Sequence, residues 1–127
     1  MSDSPNEPRL FTADQANALL PVVAPLVEQL RDAQREMEDR HDQVISIVAG
    51  NGGGEPGAKY LEATQTAASA LGHLEALGIV VRDPSTGLID FPAIRDGEEI
   101  FLCWRIGEDA VAWWHPIDTG IAGRQPL

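Results

Sequence analysis

The chain has 127 residues, one cysteine and a net charge of −11 at neutral pH, from 20 acidic and nine basic side chains. This length suits one domain with one core, and the negative charge disfavours nucleic acid and anionic membranes as partners because both repel it. A single cysteine excludes an internal disulfide and a zinc site built from several thiolates. Since no apolar run is long enough for a membrane span or a secretion signal, we expect a cytoplasmic protein.

The N-terminal part of the chain predicts a short tail followed by a long helix. Residues 1–10 are rich in proline, acids and small polar side chains, which predicts a disordered tail. Thr12 followed by Gln15 forms a capping box, so a helix is expected to begin there. From residue 19 to residue 47, apolar residues recur at alternating spacings of four and three, with Arg40 as the one polar residue in the series. This pattern predicts a helix with one apolar seam.

Two features interrupt this helical pattern. Pro21 and Pro25 lie in the first turns of the seam, where proline removes an amide donor, so a kink or a short first helix is expected. Residues 50–57 contain five glycines and one proline. They predict a mobile connection without a ligand rather than a phosphate-binding loop, because no strand precedes them and Glu55 would repel an anion.

A second helix is predicted from about residue 58 to residue 77, with an apolar stripe and several alanines that allow a close helix partner. Gly78 ends this helix, as expected for the left-handed position of a Schellman motif. Because the two helices have similar lengths, they are predicted to form a long antiparallel helical hairpin over residues 12–77.

Beyond Gly78 the apolar period changes to two, which predicts an antiparallel β-meander over residues 79–115. The Asp96-Gly97 pair is a strong hairpin signal, and it sets a register in which Phe91 faces Leu102. The predicted strands span residues 79–82, 88–94, 99–106 and 110–115.

The expected fold is therefore α+β, with the helical hairpin packed on one face of a three- to four-stranded antiparallel β-meander. An even-length last turn would place His115 on the helix-covered face and leave an apolar patch on the other face. That patch predicts the interface of a homodimer, unless residues 116–127, predicted as a docked C-terminal tail, cover it and keep the protein monomeric. The patch consists of Leu88, Ile94, Phe101, Cys103 and Trp114.

Four polar residues near the last predicted hairpin form a candidate ligand site: Glu108, His115, Asp118 and Arg124. His115 and Asp118 are candidate ligands for a divalent metal. Arg124 would bind a carboxylate such as Asp90 or Glu108, or an anionic ligand. The structural alternatives are a hydrogen-bonded histidine at a strand end and an internal ion pair of Arg124.

Cys103 and His115 together would suit a nucleophile with its base. In the predicted register their side chains point to opposite faces, and only an odd-length turn or a bulge would bring them together. Cys103 is therefore interpreted as a small, packed apolar residue.

Three segments of the second half of the chain form a recognisable set: Asp90-Phe91-Pro92, Leu102-Cys103-Trp104-Arg105 with Gly107-Glu108, and Trp114-His115 through Gly123-Arg124-Gln125-Pro126-Leu127. They resemble the bacterial family known as domain of unknown function 2203, as does the opening from Phe11 to Pro21. The resemblance covers nearly the whole chain from Leu10 onward and implies no particular chemistry. The family often has an acid directly after the Trp-His pair, where this chain has Pro116, so a carboxylate beside His115 is not expected.

Two functions follow as hypotheses. The first is a non-catalytic cytoplasmic module that self-associates. The alternative is a small metal-dependent or anion-binding enzyme whose site lies where His115, Asp118, Glu108 and Arg124 converge. They differ in whether these side chains meet at a solvent-open pocket or neutralise one another in a closed network.

Overall fold

The computed structural model describes residues 9–50 and 55–127. Over these residues the chain forms two long helices and a five-stranded antiparallel sheet, which confirms the predicted α+β fold of a helical hairpin and a β-meander. The strands lie in the sheet in chain order. The elements are α1 Ala13–Gly50, α2 Glu55–Ala76, β1 Val80–Asp83, β2 Leu88–Arg95, β3 Glu98–Arg105, β4 Trp113–Pro116, a 3₁₀ turn Gly120–Gly123 and β5 Gln125–Pro126.

Helix α1 begins with the predicted capping box. The backbone amide of Thr12 donates to Oε1 of Gln15 at 2.9 Å, and the amide of Gln15 donates to Oγ1 of Thr12 at 3.1 Å. Two amides at the helix start, which have no partner inside the helix, are thereby satisfied.

Helix α1 continues through both prolines as one element, so of the two expected outcomes, a kink or a short first helix, the short first helix is wrong. Pro21 and Pro25 are exposed, whereas Val23 and Val27 beside them are buried in the core. Each proline removes one helical hydrogen bond. Burial of the apolar side chains on the opposite side of the helix outweighs that loss, because packing supplies most of a helix's stability in a protein.

The predicted tail at residues 1–10 and the predicted connection at residues 50–57 lie partly outside the described residues. Helix α2 begins at Glu55, slightly earlier than the sequence predicts. Of the tail, Arg9 is described, and its Nη1 donates to the carbonyl of Leu77 at 3.3 Å.

Helix α2 ends in the predicted Schellman motif. Gly78 has a φ of +90°, and its amide donates to the carbonyl of Glu75 at 2.9 Å. The amide of Ile79 donates to the carbonyl of Leu74 at 3.1 Å. Ile79 and Leu74 are both buried, so the end of the helix is also joined to the core.

The β2–β3 hairpin has the predicted turn and register. Asp96 and Gly97 have φ angles of +53° and +81°, as a type I′ turn requires. Phe91 lies opposite Leu102, and the pairing holds along both strands. The two helices cover the sheet face that bears these apolar side chains. The buried core consists of Phe11, Ala16, Val23, Val27, Leu30, Ala70, Leu74, Ile79, Ile89, Phe91, Ala93, Ile100, Leu102, Trp104 and Val111.

The predicted register between β3 and β4 was wrong by one residue. Phe101 lies opposite His115, and Leu102 lies opposite Trp114. Because side chains alternate between the faces of a sheet, this slip reverses every side chain of β4. Trp114 therefore packs against the core, while His115 points to the face away from the helices.

The connection before β4 explains the difference in register. It is not a tight hairpin, because Val111 turns into the core and is held there by Asn17 of α1. The amide of Val111 donates to Oδ1 of Asn17 at 2.7 Å, and Nδ2 of Asn17 donates to the carbonyl of Val111 at 3.1 Å. A residue 94 positions away in the chain thus sets where β4 begins.

The C-terminal segment adds the short strand β5 to the edge of the sheet, beyond the three to four strands predicted. Gln125 pairs with Trp114, and the amide of Leu127 donates to the carbonyl of Ala112 at 2.9 Å. In the part of the chain that is described, neither helix has the length and apolar character needed to cross a membrane.

Candidate functional site

Neighbouring strands place polar side chains side by side on the sheet face opposite the helices, here called the second face. Asp90 of β2 lies directly opposite Cys103 of β3, and His115 of β4 lies opposite Phe101, two residues from Cys103. The relative exposures of Asp90, Cys103 and His115 are 1%, 0% and 2%. These three residues, called the polar cluster below, are as buried as the apolar core.

Asp90 is the centre of the polar cluster. Its Oδ2 accepts a hydrogen bond from Nε of Arg82 at 2.7 Å and lies 3.0 Å from Nε2 of His115. Its Oδ1 is buried and has no hydrogen-bond partner. The guanidinium of Arg82 also lies 4.6 Å from the ring centroid of Phe101, so it forms part of the cover over the carboxylate.

Both ring nitrogens of His115 face oxygen atoms. Nδ1 lies 2.7 Å from the carbonyl oxygen of Pro116, and Nε2 lies 3.0 Å from Oδ2 of Asp90. A neutral imidazole has only one N–H, so it donates to one of these oxygens and turns a lone pair toward the other. Each ring nitrogen is thus directed at an oxygen atom of the protein.

Cys103 is a protonated thiol at neutral pH. Burial and the nearby Asp90 carboxylate raise the pKa of this thiol to about 11, against the smaller opposing influence of Arg124. A buried thiol with a raised pKa lacks both the thiolate character and the access that nucleophilic cysteines have. It lies on the same face as His115, so the expectation that they point apart was wrong, although the interpretation of Cys103 as a packed residue agrees with its burial.

Glu108 and Arg124 form an internal ion pair at the edge of the second face. Nη2 of Arg124 donates to both carboxylate oxygens of Glu108, at 2.6 and 2.7 Å. Oε1 of Glu108 also accepts from the amide of Arg105 at 2.8 Å. The guanidinium of Arg124 lies 5.0 Å from the ring centroid of Trp113. The C-terminal segment is thereby joined to the sheet through one of the two carboxylates that the sequence suggested.

The four residues of the predicted ligand site therefore do not meet as one group. His115 belongs to the polar cluster, Glu108 and Arg124 pair with each other, and Asp118 is exposed. Among the described residues, the group of three potential metal ligands is Asp90, Cys103 and His115. Asp90, the centre of the site, was not predicted from the sequence. The feature that could have indicated it is a carboxylate in the interior of an otherwise apolar strand, since such a residue is rarely buried without a partner.

Comparison with known families agrees with the resemblance in the sequence. The family model described as Uncharacterized conserved protein (DUF2203) matches residues 9–127. The chain belongs to this family. No similar chain was found among the curated proteins or the solved structures.

Because the register of β4 differs by one residue from the prediction, the residues on the second face of this DUF2203 chain differ from the predicted interface patch. Trp114 leaves the second face, and the guanidinium of Arg95 lies 4.8 Å from its ring centroid. Cys103 is buried in the polar cluster. Trp113 takes the place of Trp114 on the second face and is half-buried. The other members of the patch keep their predicted face: Leu88 and Phe101 are half-buried, and Ile94 is exposed.

Arg124→Ala is expected to lower the free energy of unfolding of the DUF2203 chain by about 1–3 kcal/mol, because the partly buried charge of Glu108 would lose its cationic partner. Urea denaturation followed by tryptophan fluorescence measures the change. The control is Arg105→Ala, on the same sheet and exposed, for which we expect a change within about 0.5 kcal/mol. Unchanged or increased stability of Arg124→Ala would instead favour a ligand-binding role for the arginine.

Proposed function

We propose that this protein is a non-catalytic cytoplasmic module that self-associates as a homodimer through the second face. The composition of that face is the observation that carries the proposal. Phe101 and Trp113 are both half-buried there, with the guanidinium groups of Arg82 and Arg124 stacked on their rings at 4.6 and 5.0 Å. Aromatic residues and arginine are the side chains most enriched at the centres of protein interfaces.

The arrangement of layers also supports self-association. Both faces of the sheet carry apolar side chains, and the helical hairpin packs on one of them. A two-fold axis is the commonest way to bury one patch against its own copy. The net charge of −11 opposes further growth of such an assembly, and it also disfavours nucleic acid as a partner.

The closed state of the polar cluster supports a non-catalytic role. Its three side chains are at most 2% exposed, so a substrate could not reach them without local opening. The thiol of Cys103 is held in its protonated form. Both nitrogens of His115 are engaged with oxygen atoms. These are the properties of a network whose charges are neutralised internally, rather than of a site prepared for acid–base or nucleophilic chemistry.

Sedimentation at micromolar concentration tests the proposed dimer. Ile94 is 49% exposed at the end of β2 on the second face, so Ile94→Glu is expected to fold normally. It should weaken dimerisation by at least about tenfold, because a carboxylate would be desolvated in an apolar interface.

The matched control is Val22→Glu, which places the same charge at a valine 55% exposed on α1. We expect wild type and Val22→Glu to be dimers of equal affinity, with circular dichroism confirming that all three chains are folded. A monomeric wild type would contradict the proposal. So would dissociation by Val22→Glu while Ile94→Glu remains dimeric, since that result would move the interface to the helices.

A further inference from the structure

We propose that Asp90, Cys103 and His115 form a binding site for a divalent transition-metal ion of the zinc class. A carboxylate oxygen, Sγ of Cys103 and a ring nitrogen of His115 all lie within 4.8 Å of one another. Zinc binds such ligands at about 2.0–2.3 Å, which places the ligand atoms of a tetrahedral site roughly 3–4 Å apart. Three adjacent strands therefore bring one oxygen, one sulfur and one nitrogen ligand close to the required spacing. This inference does not depend on self-association.

The surroundings of His115 point to a positive charge within the cluster. If Nδ1–H donates to the carbonyl of Pro116, the Nε2 lone pair faces the carboxylate oxygen of Asp90 at 3.0 Å. Two electron-rich atoms at that distance repel each other unless a cation lies between them. Either a second proton or a metal ion satisfies the arrangement. The carbonyl of Pro116 then fixes the histidine tautomer, as outer hydrogen bonds do for metal-binding histidines.

Asp90 supplies an independent observation. Its side chain is 1% exposed, and Oδ1 meets no geometrically well-placed donor, although the thiol of Cys103 lies close enough to the carboxylate to interact with it. An unpaired carboxylate oxygen in a buried position is costly. A metal ion bound to Oδ1 would satisfy it, and the charge of that ion would also offset the repulsion between Oδ2 and Nε2 of His115. Arg82 binds the other oxygen, Oδ2, at 2.7 Å, and so orients the carboxylate from outside the cluster. Arg82 is thus a positioning residue for the proposed site.

The three donor types select the class of metal. A cysteine sulfur disfavours Mg²⁺ and Ca²⁺, which prefer oxygen ligands, and favours Zn²⁺ and its neighbours in the first transition row. On binding, the thiol of Cys103 releases its proton to solvent and the thiolate coordinates the ion. The thiolate and Asp90 then face the dication with two negative charges, and Asp90 shares its charge with Arg82. A buried water would complete the tetrahedral set.

Titration of the full chain with Co²⁺, after treatment with EDTA and its removal, tests the site. We expect one Co²⁺ per chain, with the thiolate-to-cobalt charge-transfer absorption and visible bands of a tetrahedral ion, and displacement of Co²⁺ by one equivalent of Zn²⁺. Cys103→Ser should abolish the charge-transfer absorption and weaken Zn²⁺ binding by at least about 100-fold. Arg82→Ala should retain the absorption and bind about tenfold more weakly, within the range for outer-shell residues.

The double variant His41→Gln with His73→Gln is the matched control, because it removes the two exposed histidines and leaves His115. We expect it to bind Co²⁺ as the wild type does. The proposal is overturned if the wild type holds no stoichiometric Co²⁺ or Zn²⁺ at micromolar concentration, or if the control loses binding while Cys103→Ser keeps it. Should Cys103→Ser fail to fold, X-ray absorption of the zinc-loaded wild type decides. One sulfur neighbour at about 2.3 Å is expected, and a shell of nitrogen and oxygen alone contradicts the site.

Discussion

Asp90→Asn is expected to lower the free energy of unfolding of the metal-free protein by about 2–3 kcal/mol, the range for charge-assisted hydrogen bonds lost from a buried carboxylate. The carboxylate is 1% exposed and is bonded to Arg82 at 2.7 Å and close to His115 at 3.0 Å. Asparagine keeps the shape of the side chain but removes its charge. The asparagine oxygen can still accept one hydrogen bond, and Arg82, whose side chain is 42% exposed, regains water, so the loss is smaller than for a fully buried ion pair. Urea denaturation in the presence of EDTA measures the change.

Asp118→Asn is the matched control for Asp90→Asn. Asp118 is exposed, and substitutions at such positions change stability by no more than about 0.5 kcal/mol. A loss below about 1 kcal/mol for Asp90→Asn would contradict the central role of this carboxylate. A larger loss for Asp118→Asn than for Asp90→Asn would instead show that Asp118 has a structural role that its exposure does not indicate.

Phe91→Ala is expected to lower the free energy of unfolding by about 3–5 kcal/mol, the usual range for truncation of a buried phenylalanine. Phe91 is 0% exposed on the helix-covered face. Its ring meets that of Phe11 edge to face, with centroids 5.3 Å apart and planes at 79°. The truncation would leave a cavity and remove this contact, which is favourable beyond the buried area alone. Thermal and urea denaturation both report the effect.

Phe101→Ala provides the comparison on the other face of the sheet. Phe101 is only half-buried, so its truncation removes less apolar surface from contact with the protein. We expect a loss of stability below about 2 kcal/mol. An equal or larger loss for Phe101→Ala than for Phe91→Ala would show that the main core does not lie between the helices and the sheet.

The elements that the sequence predicted correctly are those whose deciding contacts are local. Thr12 and Gln15 cap α1 across three residues, and Gly78 closes α2 within a single turn. The Asp96-Gly97 turn sets the register of β2 and β3 because a type I′ turn permits only one pairing of its flanking strands. In each case the interacting groups are a few positions apart, so the pattern and the contact are visible together in the sequence.

The tertiary structure alone decided which side chains meet on the second face. Asn17 holds the backbone of Val111 across 94 positions, and this contact shifts β4 by one residue from the expected register. Since the side-chain period of a strand is two, a single-residue shift moves His115 and Trp114 to opposite faces at once. The sequence by itself therefore determined the helices, the β2–β3 hairpin and the fold class. The grouping of Asp90, Cys103 and His115 depended on a long-range hydrogen bond that no local pattern encodes.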